Sequence, residues 1–308
     1  MNSRRNFLQV LGMSSIAAFL PYQAFARTEN KGADFRFCLN TSTISGQDPG
    51  LLGYIEIAAK AGYDGIELWI RDIQKYLQTG GSLSVLRRFC DDSHIQVESA
   101  IGFAPWLAVD ETESLKGFLQ MKNEMEMLAE LGCTRIAAPA AGVSEPLDLH
   151  IAGEKYARLL EMGRDTGVMP QLEFWGASPA LYNMAQAMVI CAYCNDPDAR
   201  ILTDVYHMFR GGSGFESLSM LSEKMIEVFH MNDYPRDKPR ESQTDADRVY
   251  PDDGVAPIQR IIQIFDQVGG TKVLSLELFN KDYWSQDPLL VAETGLKKMK
   301  DLVKKALQ

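Results

Sequence analysis

"EKYARLLEMGRDTGVMPQLEFWG", residues 154–176, reads as one helix, one stop and one strand. Helical periodicity runs from Glu154 to Thr166, and Gly167 follows as a residue free to take the left-handed conformation that ends helices. The chain then changes period: "VMPQLEF" (168–174) is a short apolar run of strand type that carries an acid, Glu173, next to its end. The same hinge recurs. "LLGYIEIAAKAG", "SLKGFLQMKNEMEMLAELG" and "PIQRIIQIFDQVGG" each close on glycine (Gly62, Gly132 and Gly270) just before another strand-like run.

Working outward, strand patterns fall at 35–41, 64–69, 95–101, 134–139, 168–174, 200–205, 226–231 and 272–278, and a last helical stretch, "PLLVAETGLKKMKDLVKKAL", closes the chain. Eight strand-plus-helix units over residues 27–308 are the arithmetic of an α/β fold with a single (β/α)8, or TIM, barrel domain. A doubly wound open sheet is the competing architecture, but no G-x-G-x-x-G follows the first strand. In such barrels chemistry sits at the C-terminal strand ends. That rule collects Glu67, Glu173, Asp204, His230 and Glu277. Acids facing a barrel interior are costly unless paired or bound to a cation, so a ring of carboxylates with one imidazole implies a metal. Three carboxylates and a histidine suit one divalent ion, Mn²⁺, Mg²⁺, Co²⁺ or Zn²⁺.

The formal net charge of the 308 residues is -10, and -12 without residues 1–26, which hold Arg4 and Arg5 and no acid. A nucleic-acid partner needs a basic face to neutralise phosphates, so the balance speaks against one. Residues 1–26 pair those arginines with "LGMSSIAAFLPYQAFA", ending in Ala24-Phe25-Ala26. This resembles a twin-arginine export signal cleaved after Ala26, which implies the twin-arginine export machinery as a partner and a periplasmic mature protein. The five cysteines are odd in number and scattered in apolar stretches, which is no disulfide framework. Cys191 and Cys194 form a C-x-x-C near a helix end, without the strand lead-in of a redox site.

From the first strand to the last helix the chain resembles the xylose isomerase-like TIM barrels, in their sugar isomerase and ketose 3-epimerase branch. The motifs are "GYDGIELW", "QLEFWG", "LTDVYH", "VFHMNDYPR" and "LSLELFN". The resemblance implies Glu173, Asp204, His230 and Glu277 as metal ligands, with His207 and Arg236 as substrate-binding residues and Glu67 near the substrate. It implies a sugar or sugar derivative as the small-molecule partner, and leaves a homo-oligomer open. Moving a stereocentre or carbonyl along a sugar means removing a proton beside a carbonyl. The resulting enediolate carries charge on two neighbouring oxygens, which a divalent cation chelates. Glu173 and Glu277 are then the groups that take and return the proton. If proton loss expels a β-hydroxyl, the same site is a dehydratase or lyase. A non-catalytic carbohydrate-binding barrel is the reading from outside enzymology.

Trp69, Trp106 and Trp175 follow strands two, three and five, and Phe279 follows strand eight. Such rings either cap the barrel core or pack against sugar C–H faces, and Trp175, two residues beyond Glu173, is the first choice for the second role. In "RVYPDDGVAP" (248–257) Asp252 stands where relatives often carry the first glycine of Gly-Asp-Gly, leaving the loop's role open. No basic cluster or Gly-rich loop supplies a phosphate site, which favours an unphosphorylated substrate. The endonuclease branch needs a histidine-rich three-zinc site and a basic face, against four histidines and a charge of -10 here.

Overall fold

The computed structural model describes residues 32–308, so residues 1–26, which the sequence likens to an export signal, lie outside the described residues. Eight parallel strands form the sheet: β1 (Ala33–Asn40), β2 (Gly65–Trp69), β3 (Gln96–Ile101), β4 (Arg135–Pro139), β5 (Met169–Glu173), β6 (Ile201–Asp204), β7 (Val228–Met231) and β8 (Gly270–Leu276). Their order, β3-β2-β1-β8-β7-β6-β5-β4, wraps into a nearly closed barrel in which β3 and β4 lie side by side without a hydrogen-bonded ladder. The helices are α1 (Gly50–Ala61), α2 (Ile70–Gln78), α3 (Leu83–Asp92), α4 (Glu111–Glu130), α5 (Leu149–Thr166), α6 (Met184–Cys194), α7 (Val205–Arg210), α8 (Ile258–Val268), α9 (Lys281–Trp284) and α10 (Pro288–Ala306).

Local chemistry places these boundaries. Asp110, Asp148 and Asp287 cap the first turns of α4, α5 and α10 with their side chains. Gly62, Gly132, Gly167 and Gly270 all have positive φ, between 71° and 87°, as the helix-stop reading requires. The units are less uniform than eight equal repeats. β2 is followed by two helices, and β6 by the six-residue α7 and a 3-10 turn at Phe215–Met220.

The barrel interior is layered. Cys38, Trp69, Ile101, Ala137, Leu202, Val228 and Val273 form an apolar cluster separate from the larger core between sheet and helices. Near the N-terminal strand ends, Glu98 bonds Arg36 (2.6 Å) and Arg135 (3.3 Å), and Glu227 bonds Arg135 (3.1 Å) and Arg200 (3.2 Å). Lys272 is buried beside them, and desolvation pulls its pKa down to about 8. All five cysteines are buried and free.

Candidate active site

The strand registers bring the C-terminal ends level: Asp204 pairs with His230 across β6 and β7, and Asn40 with Glu67 across β1 and β2. Asp204 ends β6 and caps α7, its Oδ1 accepting the backbone N–H of His207 at 2.6 Å. Strand and helix therefore meet at one residue, which is why an acid and a histidine three positions apart enter one pocket. Asp204 Oδ2 accepts from Asn232 Nδ2 (2.9 Å) and Arg248 Nη1 (2.8 Å).

His230 is fully buried at the centre. Its Nδ1 lies 3.1 Å from Glu277 Oε2 and 4.0 Å from both Asp204 Oδ2 and Glu173 Oε1. On the far side of the ring, Nε2 lies 3.0 Å from Glu67 Oε2. Burial opposes charge on the imidazole, but Glu277 and Glu67 more than reverse this and raise its pKa well above the ordinary value. Glu277 shifts the other way: burial would raise it, and His230 and Arg248 drive it well below the carboxylate range. Glu173 has less compensation. Desolvation pushes it up to about 8, only partly opposed by His230.

One donor atom from each of Asp204, His230 and Glu277 lies within 4.8 Å of the others. Glu173 Oε2 and His230 Nδ1 are buried with no aligned hydrogen-bond partner. Buried polar atoms without partners are expensive, and a divalent cation held by the three carboxylates and the imidazole would satisfy both. The residues fit such an ion.

Arg248 is the cation that sequence reasoning missed. It is 1% exposed, and its guanidinium also donates to Glu277 Oε2 (2.6 Å) and Asp245 Oδ1 (2.5 Å). Tyr206 and Phe279 stack on it at 4.8 and 5.1 Å. Arg236, expected in this role, is instead exposed and outside the cavity. The cause is the loop path. Asp233 and Val249 pair antiparallel through two backbone hydrogen bonds (2.9 and 3.0 Å), so the returning limb of the loop lies over the barrel mouth. Asp233 also accepts the N–H groups of Asp252 and Ala256, and a Cβ on Gly254 would meet its carboxylate at 2.3 Å. The 248–257 loop, whose role the sequence leaves open, is pinned to Asp233 and holds Arg248 in place.

His207 lines the cavity as expected. Burial lowers its pKa, favouring the neutral ring. Arg248 Nη2 lies 3.1 Å from Nε2 and the N–H of Gly176 lies 3.3 Å from Nδ1, so donors approach both ring nitrogens.

Two further expectations change. Glu67 does not reach the cavity: it sits behind His230 and accepts from Asn40 Nδ2 (2.9 Å) and Ser275 Oγ (2.7 Å). Its side chain points inward one layer below the mouth, so it acts on the imidazole rather than on a substrate. Trp106 is wholly buried, donates to the Pro139 carbonyl (3.0 Å) and packs against Phe118 and Tyr156. The close approach of Gly117 on α4 to the Pro105-Trp106 backbone turns it into the outer core. Trp69, Trp175 and Phe279 do line the cavity, whose volume is about 730 Å³. Asn40 ends β1 and Asn232 follows β7, but an uncharged amide at a strand end carries no sequence signal of the kind an acid or a histidine gives.

The xylose isomerase-like TIM barrel family model matches residues 55–302. An inosose isomerase of Bacillus velezensis is 27% identical over 272 residues, covering 86% of this chain and 95% of the relative. Another from Halalkalibacterium halodurans is 26% identical over 272 residues, covering 86% and 94%. Among solved structures, the IolI protein with a bound zinc atom superposes with a TM-score of 0.80 at 25% identity, covering 88% of this chain and 99% of its own. From strand order to family match these observations agree: the chain belongs to the xylose isomerase-like TIM barrel family.

Proposed function

We propose that the protein is a divalent-metal-dependent isomerase or epimerase of a keto-sugar or keto-cyclitol. The observation that carries this reading is the convergence of Glu173, Asp204, His230 and Glu277 from β5–β8, with Glu173 Oε2 buried without a partner and three carboxylates gathered around His230 Nδ1. The similarity to inosose isomerases supports the reaction class, and the zinc atom in the IolI structure supports the metal. When bound, the ion supplies Lewis acidity to the oxygens flanking the reacting carbon.

The chain's own residues do the rest. Glu173 and Glu277 enter with β6 and β7 between them, so they flank the substrate, one taking the proton beside the carbonyl and the other returning it. Arg248, which lines the cavity and is hydrogen-bonded to neutral His207, is the donor that stabilises the oxyanion that proton loss creates. Asn232 and Asn40 hold the carboxylates of Asp204 and Glu277 in orientation. Glu67 fixes the ring of His230 from behind.

The test is solvent exchange. Metal-loaded protein in D₂O should place deuterium beside the carbonyl of an inosose or of a ketose in a panel, and Glu173→Gln should stop it. No exchange on any member would overturn the assignment. The proposal includes export: Arg4-Arg5, the apolar run and Ala24-Phe25-Ala26 support cleavage after Ala26. N-terminal sequencing of the periplasmic protein checks that, and a chain retaining Met1 in the cytoplasm would refute it.

A further inference from the structure

The cavity is chemically divided. Over β5–β8 its lining carries Glu173, His207, Arg248 and Glu277. Over β2–β4 it carries Trp69, Ile101, Phe103, Ala140, Gly142 and Val143. The one polar side-chain atom in that second half, Trp69 Nε1, is already bonded to Asn40 Oδ1 at 3.0 Å. A polyhydroxylated ring placed there would leave its hydroxyls without side-chain partners, which is costly for desolvated polar groups. The about 730 Å³ of the cavity lies in the range that encloses drug-sized ligands of ~300–1,000 Å³, so there is room for more than the ring at the charged end.

The apolar half also has a shape. Phe103 stands 5.3 Å from Trp69 and 5.9 Å from Trp175, with interplanar angles of 52° and 53°, and Trp69 meets Phe279 edge-on at 6.1 Å. These tilted rings touch one another and form a continuous aromatic wall, with Val143 and Ala140 also lining that half. Phe103 itself is 43% exposed, an aromatic surface left uncovered next to a charged site. Aromatic rings favour tilted and edge-on partners at ~4.5–7 Å between centroids, so one more planar ring can pack against the exposed surface of this aromatic wall.

We propose that the substrate is a keto-sugar bearing a planar aromatic substituent, with the sugar carbonyl at Arg248 and His207 and the aromatic group packed against the wall of Trp69, Phe103 and Trp175. This inference rests on the sugar-carbonyl reading of the charged end. It adds that binding is driven substantially by the group that does not react, as remote binding energy commonly is in enzymes. Phe103 and Val143 then determine specificity without touching the reacting atoms.

The test compares phenyl and methyl 3-keto-β-D-glucopyranoside by calorimetric titration of the metal-loaded full-length protein. The phenyl compound should bind at least about tenfold more tightly, ~1.4 kcal/mol. That preference should vanish in Phe103→Ala and in Val143→Asp, with the methyl compound's affinity unchanged. Because Phe103 is partly exposed, its removal leaves the core intact, and the second variant guards against a misfolded first. Equal affinity for the two compounds, binding of neither, or a preference that survives both substitutions overturns the proposal. The titration needs no turnover. Failure of deuterium exchange on either compound would therefore strike the isomerase reading alone, while loss of the phenyl preference with exchange intact would strike this one alone.

Discussion

Replacing Arg248 with methionine keeps a long side chain and deletes the buried guanidinium. In the protein stripped of metal by a chelator, Asp204 Oδ2 loses a partner at 2.8 Å, Glu277 Oε2 one at 2.6 Å and Asp245 one at 2.5 Å. Removing one member of a buried ion cluster costs ~3–5 kcal/mol, and with Arg248 at 1% exposure the full range applies. Saturating Mn²⁺ or Zn²⁺ changes the sum, because the ion would neutralise the same two carboxylates that Arg248 bridges. Urea unfolding of Arg248→Met should therefore show ~3–5 kcal/mol lost in chelator and a clearly smaller loss with metal. The substitution should also slow deuterium exchange by ~10²–10³-fold, as when one donor to a developing oxyanion is removed. Arg248→Lys keeps a charge but not the fork, so it should recover stability more than rate. A stability loss equal with and without metal would refute the shared-carboxylate argument, and a loss below ~1 kcal/mol in chelator would refute the electrostatic one.

In chelator, stability should fall as pH rises from about 5 to 8. The Glu173 pKa is raised to about 8, so its contribution is present below the unfolded carboxylate value and lost as pH climbs through the folded one; the raised pKa of His230 acts in the same direction. Added metal displaces those protons, so its stabilising effect should grow over the same window, and thermal melts at a series of pH values check both statements; a chelated protein that gains stability across it contradicts them. Glu67→Gln weakens the charge behind His230 Nε2 and should lower metal affinity by ~10–100-fold with little change in global stability once metal is saturating, measured by competition with a chromophoric chelator. Asp252 holds φ +77°, a region that disfavours side chains, so Asp252→Gly should raise stability by up to ~1 kcal/mol in urea unfolding, and a destabilised variant would show that the side chain itself holds the loop.

Much of the molecule was legible locally. The helical period up to Thr166, the stop at Gly167 and the strand ending on Glu173 all appear in the structure within a residue or two, and the eight strand positions follow the same rules. The rule that strand ends carry chemistry also brings Glu173, Asp204, His230 and Glu277 to one place, because parallel strands in register put their last residues at one rim. Spacing failed where the chain leaves the strands. Six residues separate His230 from Arg236, and eighteen separate it from Arg248, yet the nearer arginine is in solvent and the farther one is buried.

Periodicity and helix stops are properties of neighbours along the chain, so the sequence by itself determined the order of strands and helices, the barrel and the ring of acids around His230. Which face a side chain turns to, and what lies across from it, depends on contacts between residues far apart. The Asp233–Val249 pairing selects Arg248 over Arg236, the contact of Glu67 with Ser275 of β8 sets it behind His230, and the packing of α4 takes Trp106 into the core. Only the tertiary structure decided these, because no local pattern encodes the energy of a contact that exists only after the barrel has closed.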